Sequence, residues 1–174
     1  MGDRYSDELQ ISEHSWKQAV LAARVLEAAG DPRDLVDSVR KQAESCLTSD
    51  SASKRTFGLY LLGFLFKKGA ISIDSTRIHG LLKADPSESV RLAAFDLLGA
   101  ILKKTGSKSG VCESDYSTIL EFRKKMLDRG PELRRYASSG VLDDINRLAP
   151  NEGTKVTLDR LIAGMEGGHN ERHR

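Results

Sequence analysis

Three arginines and two lysine pairs carry the most visible chemistry of this chain. Arg55, Arg91 and Arg134 fall at matching places in three apolar-periodic stretches, and Lys67-Lys68 and Lys103-Lys104 close two of those stretches. A guanidinium presents its donors in a planar fork that fits a carboxylate or a phosphate, whereas an ammonium is a compact point charge. These seven positions are therefore the candidates for holding an anionic partner. Each also has a structural role to weigh against that. An arginine at a repeated position can tie one helix to an acid or a helix-end carbonyl of its neighbour. A lysine in a last turn complements the helix dipole, worth about 0.3–1 kcal/mol at an exposed end. The structural role is favoured for the arginines, and the lysines are nearly balanced between the two.

Other reactive residue types are sparse. Cys46 and Cys112 are too few for a disulfide framework or a cysteine zinc site. Cys46 lies on an apolar stripe and reads as a core residue, and Cys112 lies in a polar stretch. His169 and His173 have the spacing of a helical metal pair but no third ligand near them. The chain holds no phosphate-binding loop, dinucleotide fingerprint, Gly-x-Ser-x-Gly or His-Glu-x-x-His. The expectation is no catalytic residue, no metal and no cofactor.

Charge is unevenly spread. The total is +2 at pH 7, which by itself does not mark a nucleic-acid binder, yet residues 51–110 carry +6 and residues 1–50 carry −4. The basic middle holds six of the seven candidates and is the expected working surface. The most apolar run, 57–66, is far shorter than the ~20 residues of a membrane span. Residues 1–10 have no signal-peptide core, so the cytoplasm is expected, with the nucleus as the other compartment.

These residues must be positioned by helices. Eight are expected, over about 12–29, 32–47, 53–68, 74–83, 86–104, 114–129, 131–149 and 157–165, and no stretch alternates as a strand would. Asp31 and Asp85 precede prolines and are expected as N-caps; Pro131 opens the seventh helix and Pro150 ends it. Gly30, Gly69, Gly106 and Gly130 suit left-handed caps. The third helix is apolar nearly all round and should be buried on several sides. Trp16 reads as a capping core residue of the first helix; an exposed indole there would mark an interaction site. The expected layout is an N-terminal extension at 1–11, one helical domain at 12–166 with a long polar loop at 105–113, and a disordered tail at 167–174.

Self-comparison relates these helices to one another. At a shift of 36 residues, Arg55 meets Arg91, Leu61-Leu62-Gly63 meets Leu97-Leu98-Gly99, and Lys67-Lys68 meets Lys103-Lys104. At a shift of 43, Val90, Arg91, Ala94 and Leu98 meet Leu133, Arg134, Ala137 and Val141. The stretch Asp85-Pro-Ser-Glu-Ser-Val90-Arg91-Leu-Ala-Ala94-Phe-Asp-Leu-Leu98-Gly resembles the second helix of a HEAT repeat, and the resemblance covers roughly residues 31–149. It implies an all-α solenoid of antiparallel helix pairs, armadillo-like, with a curved binding surface. Such arrays commonly act as adaptors or scaffolds, so the leading expectation is a non-enzymatic protein-interaction module. Its partner would be a protein, an acidic one suiting the basic middle, and self-association is a further expectation. The alternative is a nucleic-acid-binding protein with a basic concave face, since some DNA-alkylation-repair glycosylases share a HEAT-like fold. The sequence shows no aromatic–acid–arginine set that can be assigned to one concave face, because Trp16 stands at the wrong end of the helix order.

Overall fold

Apolar side chains at three- and four-residue steps make every element of this chain a helix. The computed structural model describes residues 5–106, 117–148 and 153–172, and among them there is no strand. The elements are α1 (Ser6–Ala28), α2 (Arg33–Cys46), α3 (Ala52–Lys67), α4 (Ser75–Ala84), α5 (Glu88–Thr105), α6 (Ser117–Leu127), α7 (Gly130–Arg135), a π-helical turn (Tyr136–Gly140), α8 (Val141–Leu148) and α9 (Thr154–Arg172). No helix among the described residues is long and apolar enough to cross a membrane. Most of the expected loop at 105–113, together with Cys112 and Pro150, lies outside the described residues, as do the side chains of His169 and His173.

Helix ends follow local chemistry, with several departures from expectation. Ser51 caps α3 by accepting from Lys54 N at 3.2 Å, and Asp74 caps α4 by accepting from Thr76 N at 3.0 Å. Asp85 is not the N-cap of α5. It ends α4, its carboxylate is taken up by Arg55 and by the Ser87 N–H, and Ser87 becomes the cap. Asp31 likewise stands one residue before the cap position, held by Pro32, with φ at +50°. Gly30, Gly69 and Gly106 do take left-handed conformations, but Gly130 opens α7 instead.

Residues 130–148 form one continuous helix, as the periodicity predicts, but with a wide π turn inside it. Tyr136 explains the widening. Its hydroxyl donates to Asp144 Oδ2 at 2.7 Å, and its ring lies 2.9 Å from where a Cβ on Gly140 would sit. Only glycine at 140 lets the ring lie so close.

Both ends of the chain differ from the expected layout. α1 begins at Ser6, so most of the stretch expected as an extension is helix, with Tyr5 and Leu9 in the core. Tyr5 stacks on Phe122 at 5.6 Å between ring centroids. The backbone of α9 runs to Arg172, through most of the tail expected to be disordered. Two anchors escape a pattern search at the N-terminus because they are single apolar residues among polar ones.

The helix α3 is the centre of the molecule. It packs on α1, α2, α5 and α9, and Phe57, Leu59, Leu61, Leu62 and Leu65 are buried. Its Gly58 touches α2 so closely that a Cβ would lie 2.6 Å from Ala43 O. α4 packs on α5, and α5 stacks on α3, so α3 and α5 lie side by side as the repeat predicts. In a solenoid each repeat touches only its neighbours. Here α8 returns onto α1, and α9 packs on α1, α2 and α3. The last helices thus cover the first ones, a departure from a simple open stack. The buried apolar residues of α9, Leu158, Leu161, Ile162 and Met165, join the same core as those of α1 and α3.

One polar tie from α1 holds the start of α5. Glu8 Oε2 accepts from Ser87 Oγ at 2.7 Å and from Ser89 N at 3.1 Å, and Ser89 Oγ lies 2.8 Å from the same oxygen. Glu8 thus supplies negative charge to the positive end of the α5 dipole from another helix. Glu8→Ala is expected to cost about 1–2 kcal/mol, comparable to losing a strong N-cap. A urea midpoint unchanged from the parent would show that the tie contributes nothing.

Candidate functional site

The seven cationic candidates separate into tied and free. Arg55 is tied: it donates from Nε to Asp85 Oδ2 at 2.8 Å, from Nη2 to Asp85 Oδ1 at 3.1 Å and from Nη1 to Ser49 O at 2.9 Å. Arg91 donates from Nε to Leu82 O at 3.1 Å, at the end of α4. These are the acid and the helix-end carbonyl anticipated for a structural role. Lys68 lies 3.6 Å from both Glu27 Oε2 and Asp31 Oδ1. Lys104 sits 4.7 Å over the ring of Phe66, a cation–π contact.

Lys67, Lys103 and Arg134 are exposed. Lys67 and Lys103 face one open cavity of about 470 Å³ between α3 and α5. Of the four lysines expected at one edge, two therefore line this cavity. Arg134 lines a neighbouring cavity of about 340 Å³.

The main cavity follows the 36-residue repeat. Tyr60 and Asp96, Gly63 and Gly99, and Lys67 and Lys103 are three equivalent pairs, and all six line it. Each set steps by three and four residues along its helix, so each forms one face. The two glycines hollow the middle, where larger side chains would fill the space. Tyr60 and Asp96 mark one end, and the two lysines mark the other, seven residues or roughly 10 Å further along the helices.

The remaining walls come from outside α3 and α5. Trp16 of α1 is half-buried and packs edge-on against Phe64 with ring centroids 6.2 Å apart. It lines the main cavity and the one beside Arg134, as well as a third next to Lys67 and Lys68. Trp16 packs against the core as expected, and its half-buried indole also forms the shared wall of three adjoining depressions. Arg123 of α6 reaches the same cavity, 3.7 Å from Asp96 Oδ1. Trp16, Asp96 and Arg123 thus line one cavity although they come from α1, α5 and α6, a grouping that no sequence spacing reveals.

Electrostatics distinguish Asp96 from the other acids. Burial pushes its carboxyl above the usual range, against the opposing pull of Arg123 and Lys67. The Arg123 contact is too long for a hydrogen bond. Among the described residues Asp96 accepts none, so its oxygens remain available to the cavity. Tyr60 is different. Burial raises its hydroxyl pKa far above the usual range, and that hydroxyl lies 2.9 Å from Ser12 Oγ, which ties α3 to α1. Tyr60 is thus a neutral wall at any ordinary pH. Among the described residues no cluster of three or more His, Cys, Asp or Glu could hold a metal ion.

Comparison of the chain with protein-family models, with curated proteins and with solved structures returns no match.

Proposed function

We propose that this chain is a non-enzymatic binding module whose working surface is the cavity between α3 and α5, and that its ligand is single-stranded nucleic acid. One observation carries the reading. Half-buried aromatics (Trp16, Tyr60, Phe64 and Phe95) share one cavity with Lys67, Lys103 and Arg123. Binding of single strands combines aromatic faces for the bases with cations along the backbone. The cavity offers both, and among the described residues that line it Asp96 is the one carboxylate opposing them. That carboxylate, Asp96, stands beside Arg123 rather than beside a second acid or a nucleophile, which supports binding over catalysis.

The adaptor reading, with a protein partner, stands second. Mixed charge beside partly exposed apolar walls favours it, and an acidic segment would satisfy the same lysines. On either reading we take α2–α3 and α4–α5 as two HEAT-like helix pairs, supported by the alignment of equivalent residues across the cavity. Cys46 is buried as a thiol outside any disulfide, which suits a cytoplasmic or nuclear setting.

The test is charge reversal at the two exposed lysines. Lys67→Glu with Lys103→Glu is expected to weaken binding of a labelled single-stranded oligonucleotide at least tenfold while the thermal melt stays near that of the parent. Affinity of the parent should fall steeply with added salt. An oligonucleotide that binds the double variant as tightly as the parent removes the cavity from the reading. Salt-insensitive binding would remove the phosphate contacts.

A further inference from the structure

We infer that the cavity reads the base as well as the backbone, favouring bases that present an amino group and disfavouring thymine or uracil. The inference rests on the nucleic-acid reading of the same cavity and adds a specificity to it. Three placements support it. Lys67 and Lys103 stand at one end, the only exposed ammonium groups that line the cavity among the described residues. The backbone of Asp96 stands seven residues, roughly 10 Å of helix rise, before that of Lys103, with the Lys67 charge within electrostatic reach of its carboxyl group. Trp16, Phe64 and Phe95 line the walls.

That layout has the polarity of one nucleotide. A phosphate belongs at the lysine end, where two positive charges meet solvent. The ring of a base fits the hollow above Gly63 and Gly99, against the aromatic walls. The far edge of the base then faces Asp96. An ionised carboxylate only accepts hydrogen bonds, so it needs a donor opposite. Cytosine offers its amino group there, and thymine in the same place offers a carbonyl oxygen. Two acceptors facing each other repel, and neither keeps its water. Arg123 does not remove the constraint. It stands 3.7 Å from one oxygen of Asp96 and leaves the carboxylate without a hydrogen bond among the described residues.

Cytosine and thymine are matched in ring size, so comparing them isolates the amino group from stacking. The experiment titrates the full chain with labelled oligo(dC) and oligo(dT) of equal length, at fixed salt and neutral pH, followed by anisotropy. Oligo(dC) is expected to bind about tenfold more tightly, the scale of one well-placed base contact. In Asp96→Asn the amide can present either a donor or an acceptor, so the two affinities should draw to within about twofold. A thermal melt beside each titration checks that the variant is folded, and the comparison on the parent chain stands without it. Competition by dCMP separates a free nucleotide from a strand as the source of the ligand; either source satisfies the inference. Equal binding of the two oligonucleotides by the parent overturns the inference and leaves the nucleic-acid reading intact. A preference that survives in folded Asp96→Asn overturns the role of Asp96. Binding of neither oligonucleotide overturns both readings and returns the cavity to a protein partner.

Discussion

Replacing Arg55 with alanine lowers the stability of the chain by about 3–5 kcal/mol, the expected result of stripping a buried charge of its partner. The Arg55 side chain is 13% exposed and that of Asp85 only 4%. The guanidinium meets the carboxylate through two parallel hydrogen bonds, so geometry as well as charge is lost. Among the described residues Asp85 keeps the Ser87 N–H as its remaining donor, at 2.9 Å, which does not neutralise it. Arg91→Ala is the control. It removes one hydrogen bond to a neutral carbonyl and should cost about 1 kcal/mol. Chemical denaturation of the two variants side by side checks the contrast. Equal losses would mean that the Arg55 pair is no stronger than a single bond to a carbonyl.

Leu98→Ala is expected to cost about 2–5 kcal/mol, because its side chain is fully enclosed and the void would sit in the centre of α5. Leu62, its equivalent in α3, is 1% exposed and should respond alike. Val141, the counterpart 43 residues on, is 2% exposed but smaller, so truncation there removes less. The three losses together test whether the repeat register read from the sequence is the register of the core. A Leu98→Ala midpoint within error of the parent would place Leu98 outside the core and discard that register.

Helix content and the central burial of α3 were legible because periodicity and composition are local signals. Ten apolar or glycine and tyrosine positions in a row leave a helix no polar face to turn outward. The self-similarity of α3 and α5 was legible too, and Lys67 and Lys103, which it pairs, line one cavity. What stayed hidden depends on packing between distant helices. Trp16 and Asp96 are 80 residues apart, and no spacing rule links them. The tie from Glu8 to Ser87 and Ser89 is hidden for the same reason, since it joins the first helix to the fifth. Asp85 shows a subtler failure. An acid before proline is a good cap by local rules, but Arg55 offers it two charged hydrogen bonds, and the neighbouring serine takes the capping task. The neighbours of Lys68 and Lys104 were hidden likewise, because Glu27, Asp31 and the Phe66 ring come within reach only after folding.

The return of α8 and α9 onto the first helices limits where further helices could be inserted. An open row can gain or lose a unit by tandem duplication, because each unit needs only the one before it. Here an added pair between α5 and α6 would carry α8 away from α1 and strip α9 from α1, α2 and α3. The same closure denies the molecule a loose end from which to unravel, so melting one pair exposes surface on several others at once. Unfolding should therefore be all-or-none, unlike the stepwise fraying of long linear arrays. A family descended from this chain would diversify by changing side chains around the cavity, not by lengthening the row.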